Sequence, residues 1–132
     1  MKKICFIFIF SLFLLMNLFS ETKHFEPTQN PNVRYRLFET QNMWTFLKLD
    51  TMTGKIWQLQ YSIQGDDYRF ETPLNSLDMT YALNLEQIIG RFTLYPTSNT
   101  YTFIMVDQID GHTFQVQWNI EKEHRFVIPI SE

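Results

Sequence analysis

Residues 45–63 read TFLKLDTMTGKIWQLQYSI, and residues 102–120 read TFIMVDQIDGHTFQVQWNI. The two stretches lie 57 residues apart, and the same offset aligns 34–67 with 91–124 at eleven identities in 34 positions. These are Arg34/Arg91, Leu37/Leu94, Thr40/Thr97, Asn42/Asn99, Thr45/Thr102, Phe46/Phe103, Asp50/Asp107, Gly54/Gly111, Gln58/Gln115, Gln60/Gln117 and Ile63/Ile120. They follow one another in order without an internal gap. Dropping one residue extends the match, so that Arg69-Phe70-x-x-Pro73 falls on Arg125-Phe126-x-x-Pro129. A chain that states one pattern twice is expected to build one supersecondary unit twice.

Within each unit the apolar residues recur at every second position. Trp57, Leu59, Tyr61 and Ile63 alternate with Gln58, Gln60 and Ser62, and Phe114, Val116, Trp118 and Ile120 alternate with Gln115, Gln117 and Asn119. Such alternation predicts strands with one packed and one polar face, placing Trp57, Leu59, Tyr61, Phe114, Val116 and Trp118 in the core. Residues 44–50 are apolar on both faces, as in a strand central to its layer, and 35–40 form an opening strand. Between the strands, Gly54 and Gly111 supply the left-handed residue of a short hairpin loop. Asp50 and Asp107 stand just before the turn, where a short carboxylate accepts loop N–H bonds.

The fold class that follows is all-β. Two three-stranded meanders, related by pseudo-two-fold symmetry, pack as a small sandwich or barrel. The first unit covers 34–74, a connector 75–90 and the second unit 91–130, within one domain 34–132. The connector segment 80–90 fits a short helix with Thr80 as its cap and Gly90 as its terminator, or equally a loop or irregular strand.

The chain opens MKKICFIFIFSLFLLMNLFS. Lys2 and Lys3 precede 16 residues that are apolar apart from Ser11 and Asn17, fewer than the roughly 20 a spanning helix needs. A secretory signal peptide over 1–20, cleaved near Ser20/Glu21, is the expectation, with an uncleaved anchor as the alternative. Residues 21–33 then form an N-terminal arm, and no membrane insertion is expected once the signal is removed. Cys5 is the only cysteine, so a small exported domain without disulfides must hold itself by packing alone. Without Lys2 and Lys3 the chain keeps nine basic residues against fourteen acidic, a formal charge of −5 with histidines neutral. That balance argues against a nucleic-acid partner, which needs clustered Lys and Arg. No basic amphipathic stretch points to a membrane surface.

The paired pattern TQNMWTFLKLDTMTGKIWQLQYS … GRFTLYPTSNTYTFIMVDQIDGHTFQVQW resembles small exported bacterial proteins that carry it once or twice. The resemblance covers most of 34–130 and implies an all-β exported domain and nothing catalytic. The fragment LDTMTGKIW also looks like a β-propeller blade hairpin. Two copies are too few to close a propeller of four or more blades, so that reading requires several chains in one ring.

No cysteine lies beyond the leader, and no serine sits in a Gly-x-Ser-x-Gly elbow. His24 lies in the arm, while His112 and His124 stand where the other unit has Lys55 and Asp67, as solvated loop residues do. Asp66-Asp67 and Glu121/Glu123/His124 make small acidic clusters without the ligand spacing of calcium or zinc sites, so no metal and no cofactor are expected. Asp50 and Asp107 would make a carboxylate dyad only if the fold joined them, and turn capping already explains both. Aromatic strand faces can stack on sugars but are more often core. The feature without a packing reason is Gln58, Gln60, Gln115 and Gln117, identical between units on the polar side. They are read as cross-strand amide pairs or as a neutral recognition strip that binds ligand. The functional expectation is a periplasmic or secreted, non-enzymatic binding domain with a protein or glycan partner at the envelope. The alternatives are an inhibitor or immunity protein and, less favoured, a small hydrolase.

Overall fold

A computed structural model describes residues 32–131. The leader with Cys5 and nearly all of the arm lie outside the described residues. The strands are β1 (Tyr35–Glu39), β2 (Thr45–Asp50), β3 (Ile56–Gln60) and β4 (Phe70–Pro73), then β5 (Phe92–Pro96), β6 (Thr102–Asp107), β7 (Thr113–Gln117) and β8 (Phe126–Pro129). They form two four-stranded antiparallel sheets in the orders β1-β2-β3-β4 and β5-β6-β7-β8. The all-β fold of two packed meanders therefore stands, as an open sandwich and not a closed barrel.

Identical residues make identical local bonds. The Thr40 hydroxyl donates to the Thr45 carbonyl at 2.8 Å, and Thr97 does the same to Thr102 at 2.8 Å. Asn42 Oδ1 accepts from the Trp44 amide at 2.9 Å, and Asn99 Oδ1 accepts from the Tyr101 amide at 2.9 Å. In the next hairpin, the Gly54 and Gly111 amides reach the Asp50 and Asp107 carbonyls at 2.9 Å each. Both glycines take positive φ, 75° and 81°, as the turn expectation requires.

Each meander has four strands where three are expected from the pattern. After β3 and β7 the chain makes a 3-10 turn (Asp66–Tyr68 and Lys122–His124) and returns as β4 or β8. These strands are four residues long, close on Pro73 and Pro129, and lie on sheet edges. A proline is tolerated there, and a short half-exposed edge strand leaves no alternation to read.

Between the sheets the connector forms a single helical turn, α1 (Met79–Ala82), and is otherwise irregular. Its cap is Asp78, whose Oδ1 accepts from the Thr80 amide at 2.9 Å and the Tyr81 amide at 3.2 Å. The connector is stitched to the first hairpin, with the Met79 amide on the Thr53 carbonyl at 2.8 Å and the Gly90 amide on the Thr51 hydroxyl at 3.0 Å. Among the described residues, no helix is long and apolar enough to cross a membrane.

One core lies between the sheets. The first sheet contributes Phe38, Leu47, Leu49 and Ile56; the second contributes Phe92, Leu94, Phe103, Met105, Phe114, Val116 and Trp118. Phe114, Val116 and Trp118 are buried as expected. Trp57 and Leu59 are only half-buried and Tyr61 is exposed, while Gln58, expected on the polar side, is fully buried. The reason lies in β2, which carries Leu47 and Leu49 on one face and sets Lys48 beside Phe46 on the other. In the register, Gln58 pairs with Leu47, whereas Trp57 pairs with Lys48 and Leu59 with Phe46. Packing selects the Leu47–Leu49–Ile56 face and carries Gln58 inward with it. The sheets thus meet through unlike faces, not through the like faces that a pseudo-two-fold axis would join.

Candidate functional site

Arg34 and Arg91 stand immediately before the first strand of each sheet and reach the aspartate at the end of the second. Arg34 grips Asp50 with two bonds, Nε to Oδ1 at 3.1 Å and Nη2 to Oδ2 at 2.9 Å. Arg91 Nη2 donates to Asp107 Oδ2 at 2.8 Å and Asp110 Oδ2 at 2.5 Å, and its Nη1 donates to the Glu86 carbonyl at 3.0 Å. The hairpin completes each shell: Asp50 Oδ1 accepts from the Met52 amide, and Asp107 Oδ1 from the Ile109 and Asp110 amides, at 3.0–3.2 Å.

Burial pushes both carboxyl pKa values up, but the guanidinium and the turn amides outweigh it and hold them below the ordinary carboxylate range. The Asp107 hydrogen bond likewise raises Arg91. A carboxylate held ionised this way is a poor proton donor near neutral pH. Each aspartate is engaged inside its own sheet, which leaves the dyad reading without a free acid.

Asp107, Asp110 and His112 place ligand atoms within 4.8 Å of one another. The Arg91 guanidinium already bridges their two carboxylates, so an added cation would meet an internal one. Glu121, Glu123 and His124 also come together, as exposed side chains on a turn, with His124 Nε2 3.0 Å from Glu121 Oε2. In the first unit Asp66 pairs with Arg69.

The four glutamines do not form one strip. Gln60 Nε2 donates to the Tyr68 carbonyl at 3.3 Å, and Gln117 Nε2 to the His124 carbonyl at 3.2 Å, so this pair clips the two 3-10 turns. Gln58 lies between the sheets, where its Oε1 accepts from the Asn119 amide at 3.3 Å. Its side chain is fully buried there, away from the polar surface on which the alternation places it. Gln115 stands half-buried on the outer face of the second sheet, opposite Ile104 and Ile128.

The structure instead singles out the outer face of the first sheet. Tyr35, Leu37 and Tyr61 are 51, 50 and 40% exposed, with Phe46, Trp57 and Leu59 half-buried between them. Their equivalents Phe92, Leu94 and Trp118 are 0, 1 and 1% exposed. Lys48 lies over the rings of Trp57 (4.8 Å) and Tyr35 (5.9 Å), and Tyr61 packs against Trp44 with centroids 5.2 Å apart. At the strand end a cleft of about 200 Å3 opens between Trp44, Tyr61 and Tyr68, with Gln60, Ser62 and Gln64 as neutral polar lining.

A signal for this face exists in the sequence. Tyr35, Lys48 and Tyr61 replace Phe92, Met105 and Trp118, so the more polar member of each pair falls in the first unit. In comparisons with protein-family models, curated proteins and solved structures, none matches this chain.

Proposed function

We propose that this chain is an exported, non-enzymatic recognition domain at the bacterial envelope or outside the cell, acting through the outer face of the first sheet. One observation carries the reading: side chains at positions that are core in the second sheet stand open on the first. A contiguous apolar face is a common mark of an interaction surface. The engagement of Asp50 and Asp107 by arginines supports recognition over acid–base chemistry. Aromatic and aliphatic side chains around one lysine suit a protein partner, and an inhibitor or immunity protein would use such a face equally. The Trp44–Tyr61–Tyr68 cleft favours a glycan as second reading, since it offers ring faces and uncharged amides.

Hydroxyl-radical footprinting tests the face in place. Tyr35, Trp57 and Tyr61 should be labelled several-fold less in intact cells than in dilute purified protein, while Tyr81 on the connector should not change. Equal labelling of the three residues in both settings counts against the reading.

A further inference from the structure

The interface between the sheets is built from two unlike halves. On the first sheet the half consists of Leu47, Leu49, Ile56 and Gln58; on the second it consists of Phe103, Met105, Phe114 and Val116. Each sheet also carries, at the same strand positions, the half that the other one uses. The outer face of the second sheet bears Ile104, Val106, Thr113 and Gln115 where the first has Leu47, Leu49, Ile56 and Gln58. The outer face of the first bears Phe46, Lys48, Trp57 and Leu59 where the second has Phe103, Met105, Phe114 and Val116. Contact between like faces would have used up the matching surfaces as a pair. Contact between unlike faces leaves one of each half unused, at opposite sides of the chain.

Three details repeat the pattern. Gln58 crosses the interface to the Asn119 amide; its equivalent Gln115 lies on the open face, and the residue equivalent to Asn119 is Ser62, at the edge of the other open face. Gly54 is covered, since a Cβ there would meet Met79 at 3.0 Å and Phe92 at 3.4 Å, whereas nothing lies within 4 Å of one at Gly111. Beside Gly111 a cavity of about 370 Å3 opens between Leu83, Thr113, Phe114 and Ile130. Ile130 is exposed, while Leu74, which bonds to its β3 as Ile130 does to β7, is buried.

We propose that copies of this chain assemble head to tail. The outer face of the second sheet of one copy covers the outer face of the first sheet of the next, and the series closes into a ring. This rests on the recognition face described above and names its partner as a second copy. Heterologous contacts of this kind either close or run on as filaments. Rings of four-stranded sheets hold about four to eight of them, which sets roughly two to four copies of this two-sheet chain. Gln115 would then reach the Ser62 amide of the next copy, which gives the fourth identical glutamine its role. The open faces are somewhat more polar than the built interface, with Tyr35, Lys48 and Thr113 in place of Phe92, Met105 and Ile56, as surfaces that meet water before assembly require.

The protein expressed with its own leader, purified and weighed by native mass spectrometry and sedimentation, should give one discrete species of two, three or four chains. Leu37→Glu removes one face and Ile104→Glu the other, so each variant alone should be monomeric with unchanged circular dichroism. Mixed in equal amounts they should form a one-to-one pair, because each keeps the face the other lost. Tyr35→Lys and Thr113→Lys replace any variant that fails to fold. A monomeric wild-type protein at every concentration overturns the proposal, including one whose residues before Asn32 cover the face. Open-ended growth, assembly surviving in either variant, or a mixture without pairing also overturns it. A pure monomer whose face is nonetheless protected in cells would remove self-assembly and leave the recognition face standing.

Discussion

Asp107 is the best-defended side chain of the second sheet, fully buried against an equally buried Arg91 and two turn amides. Asp107→Asn leaves that guanidinium buried with Asp110 as its remaining carboxylate, so the loss should fall below the roughly 3–5 kcal/mol that follows when a buried charge is left unpaired. Asp50→Asn should cost less, because Arg34 is part-exposed and water can replace its partner. Chemical denaturation at pH 7 ranks the two. The sign of the pH effect follows from the lowered carboxyl pKa of Asp107. Its contribution is complete above the unfolded value of about 3.9 and is lost as pH falls through the lower folded value. Between pH 5 and pH 2 the wild-type protein should therefore lose stability more steeply than Asp107→Asn. Parallel curves would show that the pair does not govern the acid limb. The sequence pointed to this residue as a turn cap and to Arg34 and Arg91 as repeated identities, but their pairing was not legible, because each arginine lies sixteen positions upstream of its partner.

At the scale of the hairpin, two glycines with the same backbone conformation stand in different surroundings. Gly111→Ala adds a methyl group to open space and should cost on the order of 1 kcal/mol for its positive φ alone. Gly54→Ala meets the same strain and also presses on Met79 and Phe92, which adds about 1–3 kcal/mol of overpacking. Thermal melts of the two variants should thus differ, with Gly54→Ala the lower; equal melting points would mean that the connector yields freely. The hairpins, their glycines and their capping aspartates were legible because turn chemistry is local. The facing of the first sheet was not. Alternation in β3 separates Trp57, Leu59 and Tyr61 from Gln58 and Gln60 but does not say which set faces the other sheet. That choice lies with β2, where Leu47 and Leu49 on one face outweigh Phe46 beside Lys48 on the other. The fourth strands escaped for a related reason, since an edge strand of four residues ending in proline carries no periodic pattern.

For the whole molecule, one core layer between two small sheets must stabilise about a hundred described residues without a disulfide among them. Domains of this size bury a modest share of their surface and are correspondingly marginal. An added interface on each side enlarges that layer by the same chemistry that built it. If folding and ring formation are coupled, mass action makes stability depend on concentration, since only the folded chain presents both faces. The melting temperature of the wild-type protein should rise by several degrees over a hundredfold increase in concentration. Leu37→Glu, which removes one face without touching the core, should melt at one temperature throughout and below the wild type at high concentration. At the lowest concentrations the two curves should converge, because both then describe a lone pair of sheets. A wild-type melting point that ignores concentration, in a protein shown by mass to be assembled, would mean that the ring persists through unfolding or adds nothing to it. The face would then hold copies together without serving as the missing half of the core.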